Sequence, residues 1–488
     1  MATPVTIVWF RNDLRLEDNP ALTAAANRGG VIVPVFIWSP ADEGDWHPGG
    51  ASKWWLETTL KSLDRELREK GSRMVFRQGP AVTELQRLIR ETGADAVFWN
   101  RRYEPLIRER DARIKETLRG PGLLAESHNA ALLHEPWTIQ NKSGKPFQVF
   151  TPFWRHCLTL TDPTAPLRTP KQLPAPAKWP AGVGLEELGL APVPDWAAGL
   201  RSTWQPGTKG AHDQLDRFLK HAFLDYGTGR NRPDLLGTSR LSPHLHFGEI
   251  SPRQIWHALK AHAGKAGWTA VEWRQSQYLA EIGWREFAHH LIYHFPHTPT
   301  ECLRPEFAKF RWRKDGVLLK AWQQGQTGYP FVDAGMRELW NTGWMHNRVR
   351  MVVASFLVKD LMMSWQEGAR WFWDTLVDAD LAQNTLGWQW TAGCGADAAP
   401  FFRVFNPVGQ GEKFDPQGAY VRRWVPELAA LPDEWIQKPH QAPPEVLKRA
   451  GIELGKSYPE PIINHAIARE VALEAYARLK KAHGTTTR

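Results

Sequence analysis

The sequence predicts an α/β domain built on a parallel sheet, followed by a mainly α-helical domain. Strand-like and helix-like segments alternate over the first fifth of the chain, prolines then crowd a long stretch, and beyond residue 210 apolar residues recur at helical spacing. A chain of 488 residues exceeds one ordinary hydrophobic core, so two domains are expected.

Residues 5–10, VTIVWF, form a β-rich run closed by Arg11, Asn12 and Asp13, and LEDNPALTAAANRG reads as a helix ended by glycine. The strand VIVPVFIW follows, then the polar loop SPADEGDWHPGGA and the helix SKWWLETTLKSLDRELREKG. Next come the strand SRMVFRQG, the helix AVTELQRLIRETG and the strand AVFWN. This order predicts a Rossmann-like parallel sheet over 1–130, covered on both faces, with ligands near the carboxyl ends of its strands. The segment contains no GxGxxG, so a classical dinucleotide site is not expected there. Over 131–205, TPKQLPAPAKWPAGVG and PVPDW hold too many prolines for helix interiors, which predicts a connector. The range 206–488 reads as helices without strands, from AHDQLDRFLKHAF through WRQSQYLAEIGWREFAHHLIYHF to PIINHAIAREVALEAYARLKKAH, and ends in GTTTR.

The totals set bounds. With 61 Lys+Arg against 52 Asp+Glu the net charge is +9, compatible with a polyanionic partner without requiring one. Three cysteines, Cys157, Cys302 and Cys394, lie far apart with no CxxC, which argues against a disulfide framework or a zinc site and fits a reducing cytoplasm. No apolar window is long enough for a membrane span, so a soluble protein is expected. The 26 tryptophans against 8 tyrosines exceed what packing ordinarily requires, because a buried indole N–H needs a partner.

Several constellations admit two readings. In WMHNRVRM, Trp344, Asn347, Arg348 and Met351 fall at spacings 0, 3, 4 and 7, so a helix would put them on one half-polar face beside the apolar run Met351 to Met363. In GTSRLSPHLHFGEISP, Thr238, Ser239, Arg240 and Ser242 could cradle phosphate; alternatively Ser242 caps a helix with Pro243 at its first position. Asp378 and Asp380 suit a helix start, and Glu281 and Arg285 stand at an ordinary ion-pair spacing. Trp284, Trp312, Trp344, Trp365, Trp388 and Trp390 are core residues, platforms for bases, or a relay for single electrons.

Taken together, VWFRNDLRLEDNPAL, GTSRLSPHLHFGEISPRQ, EIGWREF, TGYPFVDAGMRELWNTGWMHNRVRMVVASFLVKDL, DADLAQNTLGWQW and FFRVFNPVGQGEKFDP closely resemble the DNA photolyase and cryptochrome family across nearly the whole chain. The resemblance implies that 206–488 is a helical FAD-binding and catalytic domain. Thr238, Ser239, Arg240, Leu241 and Ser242 would lie near the pyrophosphate with Tyr226 close by, and Tyr278 would replace a tryptophan common on the adenine side. Arg285, Asn347, Arg350, Asp378, Asp380 and Asn384 would surround the flavin and its ribityl chain, Arg350 pairing with Asp378 and Asn384 facing N5.

It further implies light-driven repair of cyclobutane pyrimidine dimers in DNA, the dimer flipping out of the duplex into the pocket. Glu281, with a protonated carboxyl, and Asn347 would hydrogen-bond the dimer, Met351 would face it, and Trp284 and Trp390 would flank it. Arg348 and Arg403 would contact phosphates, while Trp388, Trp365 and Trp312 would relay electrons to oxidised flavin. The Asn347/Met351 pair matches enzymes for cyclobutane dimers, where (6-4) enzymes use histidines. Plant cryptochromes tend to carry Asp, and animal ones Cys, at Asn384, and the short end after the last helix disfavours a signalling cryptochrome; a blue-light photoreceptor without repair is the alternative. The N-terminal domain would hold an antenna pigment. Glu104 in WNRRYEP aligns with an acid that binds the pterin of 5,10-methenyltetrahydrofolate, favouring folate over a deazaflavin. PADEGDWHPGGASKWWL is similar to the segment of plant cryptochromes and their bacterial photolyase relatives, and a monomer is expected.

Overall fold

A computed structural model describes residues 3–120, 122–398, 400 and 403–484; Phe401, Phe402 and the last four residues of the expected end GTTTR lie outside them. Two compact units divide the chain. The first comprises Met1–His221, Ser239–Pro296 and Val377–Leu381, and the second Ala222–Thr238, His297–Leu376 and Ala382–Arg488. Both therefore draw on the range 206–488.

The first unit holds the strands β1 (Val5–Phe10), β2 (Val31–Trp38), β3 (Val75–Gln78), β4 (Ala96–Asn100) and β5 (Leu124–His128). They form one sheet in the order β3-β2-β1-β4-β5, parallel throughout, with Ile7 opposite Val33 on one side and Val97 on the other. Helices α1 (Pro20–Arg28), α2 (Gly50–Glu69), α3 (Ala81–Thr92) and α4 (Pro105–Arg119) connect them. Strands covered on both faces read as continuous apolar runs, and Ile7, Val33 and Val97 accordingly pack with Leu85 and Leu88 of α3 in an apolar core. Strand order reverses at β1 and β4. There Asn100 donates to Asp13 at 2.5 Å and to Asn19 at 2.8 Å, so the carboxyl ends of these strands are crowned by side chains bonding one another.

The connector contains helices at Phe150–Cys157 and Ala198–Thr203. Later in the first unit, Ser276 caps the helix Gln277–His294, its side chain accepting the Leu279 N–H at 3.3 Å, which divides the longer helix expected from WRQSQYL onward.

The second unit is helical apart from isolated bridges, Arg313 with Met363 and Leu454 with Tyr458, among the described residues. The stretch from Trp344 departs from the single helix expected. His346 caps the helix Asn347–Ser355, its Nδ1 accepting the Arg348 N–H at 3.1 Å. One π turn follows at Phe356–Asp360, and Met362 at φ 55° ends the run. Trp344 thus precedes the helix and does not share the face of Asn347 and Met351, because an imidazole offered the cap that sequence spacing cannot register. Among the described residues, no helix is long and apolar enough to cross a membrane, and no His/Cys/Asp/Glu group could hold a metal ion.

Candidate functional site

In the first unit the segment Ser239–Ser242 is locally strained. Arg240 sits at φ 53°, a left-handed conformation rare for a residue with a side chain, and its guanidinium lies 4.4 Å above the Trp204 ring. The Leu241 N–H bonds the Ser239 hydroxyl at 3.3 Å, and Leu241 itself is buried. Ser242 is exposed and is the first residue of the helix Ser242–His246, whose cap position belongs to Leu241 without a side-chain bond. Ser242 is therefore not the cap, which leaves its hydroxyl to other partners.

Tyr278, Glu281, Trp284 and Arg285 all ride on the helix Gln277–His294. Tyr278 is buried 4.3 Å from the Phe218 ring; burial raises its phenol, while a bond to Ser239 works the other way. Glu281 accepts the Gln277 amide at 3.3 Å. Trp284 stacks on Phe150 at 3.9 Å and 10°, so one indole face is already covered. Arg285 donates to the Ala131 carbonyl at 2.5 Å. Beside it, burial pushes Glu286 up to about 7 although Leu133 and His134 donate to its carboxyl at 3.0 and 3.2 Å.

Asp378 is buried, and Asp380 lies just before the helix Leu381–Ala392. The Asp380 carboxyl faces His246 and His289, each at 3.6 Å. Burial opposes its ionisation, but the two imidazoles and the Arg285 guanidinium hold it well below the usual carboxylate range. Glu104 stands immediately before α4 and takes Arg102 on Oε1 at 2.8 Å, while the same guanidinium grips Glu43 at 2.8 and 3.0 Å. Against the cost of burial, Arg102 lowers Glu104 to about 2.

In the second unit Tyr226 is buried on the short helix Tyr226–Gly229 with Arg230 5.5 Å over its ring. Thr238 follows Gly237, where a Cβ would lie 2.4 Å from the Gly229 carbonyl oxygen, a backbone approach only glycine permits. Asn347 opens its helix and is exposed. Arg348 donates to Asn231 at 2.6 Å, lies 4.4 Å over the Phe414 ring and reaches the half-buried Met351 sulfur at 3.8 Å. Arg350 donates to the Met345 carbonyl at 2.7 Å. Burial and the neighbouring Arg348, Arg350 and Arg230 drive His346 down to about 3, so this neutral cap stands amid cations suited to an anion. Arg403 is exposed, and its carbonyl accepts Lys359 at 2.8 Å.

The tryptophans fall into two depths. Trp388 and Trp365 are buried, whereas Trp312 and Trp390 are half-buried. Trp388 packs on Phe372 at 5.0 Å and Trp322 at 6.3 Å. The Arg313–Met363 bridge pairs the segments that carry Trp312 and Trp365. Asn384 donates its amide to the Ala369 carbonyl at 3.0 Å, which fixes the orientation of a neutral group.

Sequence reasoning missed Phe150, Asn231, His246 and His289, the partners of Trp284, Arg348 and Asp380. His246 was visible within GTSRLSPHLHFGEISP, but nothing local joins it to Asp380.

The first unit is built on a parallel α/β sheet and holds an ionised buried aspartate, and the second is helical with buried tryptophans, which places the protein in a class built of one α/β and one α-helical unit. Residues 6–176 match the model for DNA photolyase and 278–478 that for the FAD binding domain of DNA photolyase. The chain belongs to the DNA photolyase family. It is 50% identical over 482 residues to the deoxyribodipyrimidine photo-lyase of Agrobacterium fabrum, covering 99% of each chain. To Cryptochrome-1 of Arabidopsis thaliana it is 42% identical, covering 97% of this chain and 70% of that one. Its fold superposes on the crystal structure of a bacterial class III photolyase from Agrobacterium tumefaciens with a TM-score of 0.95 at 51% identity, covering 99% and 98% of the two chains.

The donor sets fit FAD. In the first unit, short hydroxyls beside a left-handed Arg240 suit a pyrophosphate, and ionised Asp380 suits N–H donors. In the second, the anchored amide of Asn384 suits a group whose protonation changes with redox state.

Proposed function

We propose that this protein is a deoxyribodipyrimidine photo-lyase that splits cyclobutane pyrimidine dimers in DNA with light. The observation carrying this reading is the 50% identity, over the full length, to a protein of that name. FAD, when bound, would supply the light-driven single-electron chemistry that opens the cyclobutane ring.

The chain's own residues then do the rest. Glu281 and Asn347 hydrogen-bond the dimer carbonyls, acting as donors placed before the charge develops. Trp284, backed by Phe150, offers its remaining face to one base and Trp390 flanks the other, while Met351 lines the wall. Arg348, oriented by Asn231, and Arg403 hold phosphates and fix register without reading sequence. Thr238 to Ser242, with Tyr226 and Tyr278, would take the pyrophosphate, and Arg285, Arg350, Asp378, Asp380 and Asn384 would position the flavin. Trp388, Trp365 and Trp312 would relay electrons to oxidised flavin, a route supported by the burial of Trp388 and Trp365 and the partial exposure of Trp312.

Illumination of the reduced protein with a thymine-dimer oligonucleotide tests the reading, and restored thymines are the expected product. Absence of light-dependent repair would favour the second reading, a cryptochrome-like photoreceptor, to which the likeness to a cryptochrome lends support. In the antenna domain we place 5,10-methenyltetrahydrofolate at Glu104, whose ionised carboxyl suits pterin N–H donors; extraction and absorption of the bound pigment separate folate from deazaflavin. The protein is read as a monomer of a reducing cytoplasm.

A further inference from the structure

The second unit holds two cysteines that the photochemical reading does not use. Cys394 is buried just past the helix Leu381–Ala392, and Cys302 is half-buried in the loop leading to Arg304. Their backbones are held side by side. The Arg304 N–H donates to the Cys394 carbonyl at 2.9 Å. Gln389 clamps the same loop, giving its amide to the Thr298 and Glu301 carbonyls at 2.7 and 2.8 Å and accepting the Leu303 N–H at 2.9 Å. Within this frame the two thiols lie near enough to perturb one another's ionisation. The indole N–H of buried Trp365 has no ordinary hydrogen-bond partner among the described residues and has the Cys302 sulfur as its soft polar neighbour.

We propose that Cys302 and Cys394 are a peroxide-reactive thiol pair that closes to an intramolecular disulfide, stapling the 298–304 loop to the end of the helix Leu381–Ala392. The inference is independent of whether the protein repairs DNA. The roles of the two sulfurs are unequal. Cys302 is half-buried and is lowered by its Cys394 neighbour against the cost of burial, whereas Cys394 is buried and burial raises it. A thiolate is the nucleophile and exposure governs its access, so Cys302 reacts first and Cys394 resolves. The Cys302 thiolate attacks one peroxide oxygen, the O–O bond breaks, and a sulfenic acid forms with release of water. The Cys394 sulfur then attacks the sulfenic sulfur, an S–S bond replaces S–O, and a second water leaves. Two thiols and one hydrogen peroxide thus give one disulfide and two waters. Cys157, in the first unit, is raised by burial and serves as an internal unreactive control.

The test uses the purified full-length protein, reduced, freed of reductant and treated in the dark with hydrogen peroxide. After denaturation the thiol titre is expected to fall from the three of the sequence to one, with a dithiol restoring it. Peptide mapping without reductant should show the Cys302 and Cys394 peptides joined within one chain. Cys394→Ser should instead trap a sulfenic acid at Cys302 with a dimedone-type probe, and Cys302→Ser should leave Cys394 reduced. Retention of all three thiols, cross-linking through Cys157 or between chains, or faster labelling of Cys394 than of Cys302 would overturn the proposal.

Discussion

Gly368→Ala opposes helix propensity to packing against Trp388, a residue of the proposed electron relay. Gly368 is buried within the helix Trp365–Thr375. In an unhindered helix interior alanine is preferred over glycine by about 1 kcal/mol. Here the added Cβ would stand 2.0, 2.4 and 2.5 Å from three atoms of the Trp388 ring. Ordinary contact requires the ring to recede by more than 1 Å, and Phe372 and Trp322 already pack against it at 5.0 and 6.3 Å. Overpacking of this kind costs about 1–3 kcal/mol, and a triple clash belongs at the upper end. Subtracting the propensity gain leaves a loss of about 2 kcal/mol, a fall of roughly 4–8 °C in midpoint by the usual scaling. Gly387→Ala is the control. It lies in the same helix as Trp388 with nothing within 4 Å of its Cβ, so only the propensity gain should remain. Thermal melts of both variants check the pair, with light-driven flavin reduction expected to slow in Gly368→Ala alone. A Gly368→Ala protein as stable as the parent would refute the packing argument.

The remaining predictions concern the proposed chemistry and one buried acid. Trp365→Phe should slow flavin photoreduction while repair by already reduced protein stays nearly intact; equal loss of both would remove Trp365 from the relay. Glu281→Ala should lower the quantum yield of repair more than the FAD content, measured on the same sample by product yield and flavin absorbance. Arg348→Ala should weaken binding equally across DNA sequences and reduce the slope of log affinity against log salt by about 1. Glu286 rises from 4.5 to about 7 on folding, so the folded state binds its proton more tightly. Its contribution is therefore full below the unfolded value and lost as pH climbs through the folded one, on the order of 3 kcal/mol at most. Stability should fall across that window, and Glu286→Gln, which still accepts from Leu133 and His134, should flatten the profile measured by denaturant melts.

The sheet was legible where burial on both faces made strands into apolar runs, as in VTIVWF and VIVPVFIW. It was illegible at one edge. β5, LAESH, pairs with β4 at the sheet edge and keeps an exposed leucine and half-buried polar residues, so neither an apolar run nor strict alternation announces it. α4 was overlooked because its arginines and glutamates leave only Ile107, Arg110, Ile114 and Leu118 buried, a thin stripe in a charged segment. Trp344 was misplaced for a different reason: helical spacing fits any residue three before Asn347, while the actual start depends on the His346 cap.

The candidate site divides along the same line between local and distant causes. Asn384 and Trp388 stand four apart on one helix, so spacing alone places them on a common face. What makes Asn384 an oriented amide is the carbonyl of Ala369 on another helix, and what keeps Trp388 in place includes Gly368 beside it. Asp380 extends the point. Its position before a helix suggests a solvated acid, yet His246 and His289 close over it and Arg285 adds its charge, so a buried carboxylate persists where isolation would have neutralised it. Motif recognition thus located residues whose chemistry depends on partners outside their motifs. Trp284 is the sharpest instance, because the stacked ring of Phe150 covers one of its faces and leaves the other for the proposed base. Removing that ring by Phe150→Ala should loosen Trp284 and weaken binding of a dimer-containing oligonucleotide more than binding of undamaged DNA. Equal weakening of both would show that Trp284 contacts DNA without contributing to recognition of the lesion.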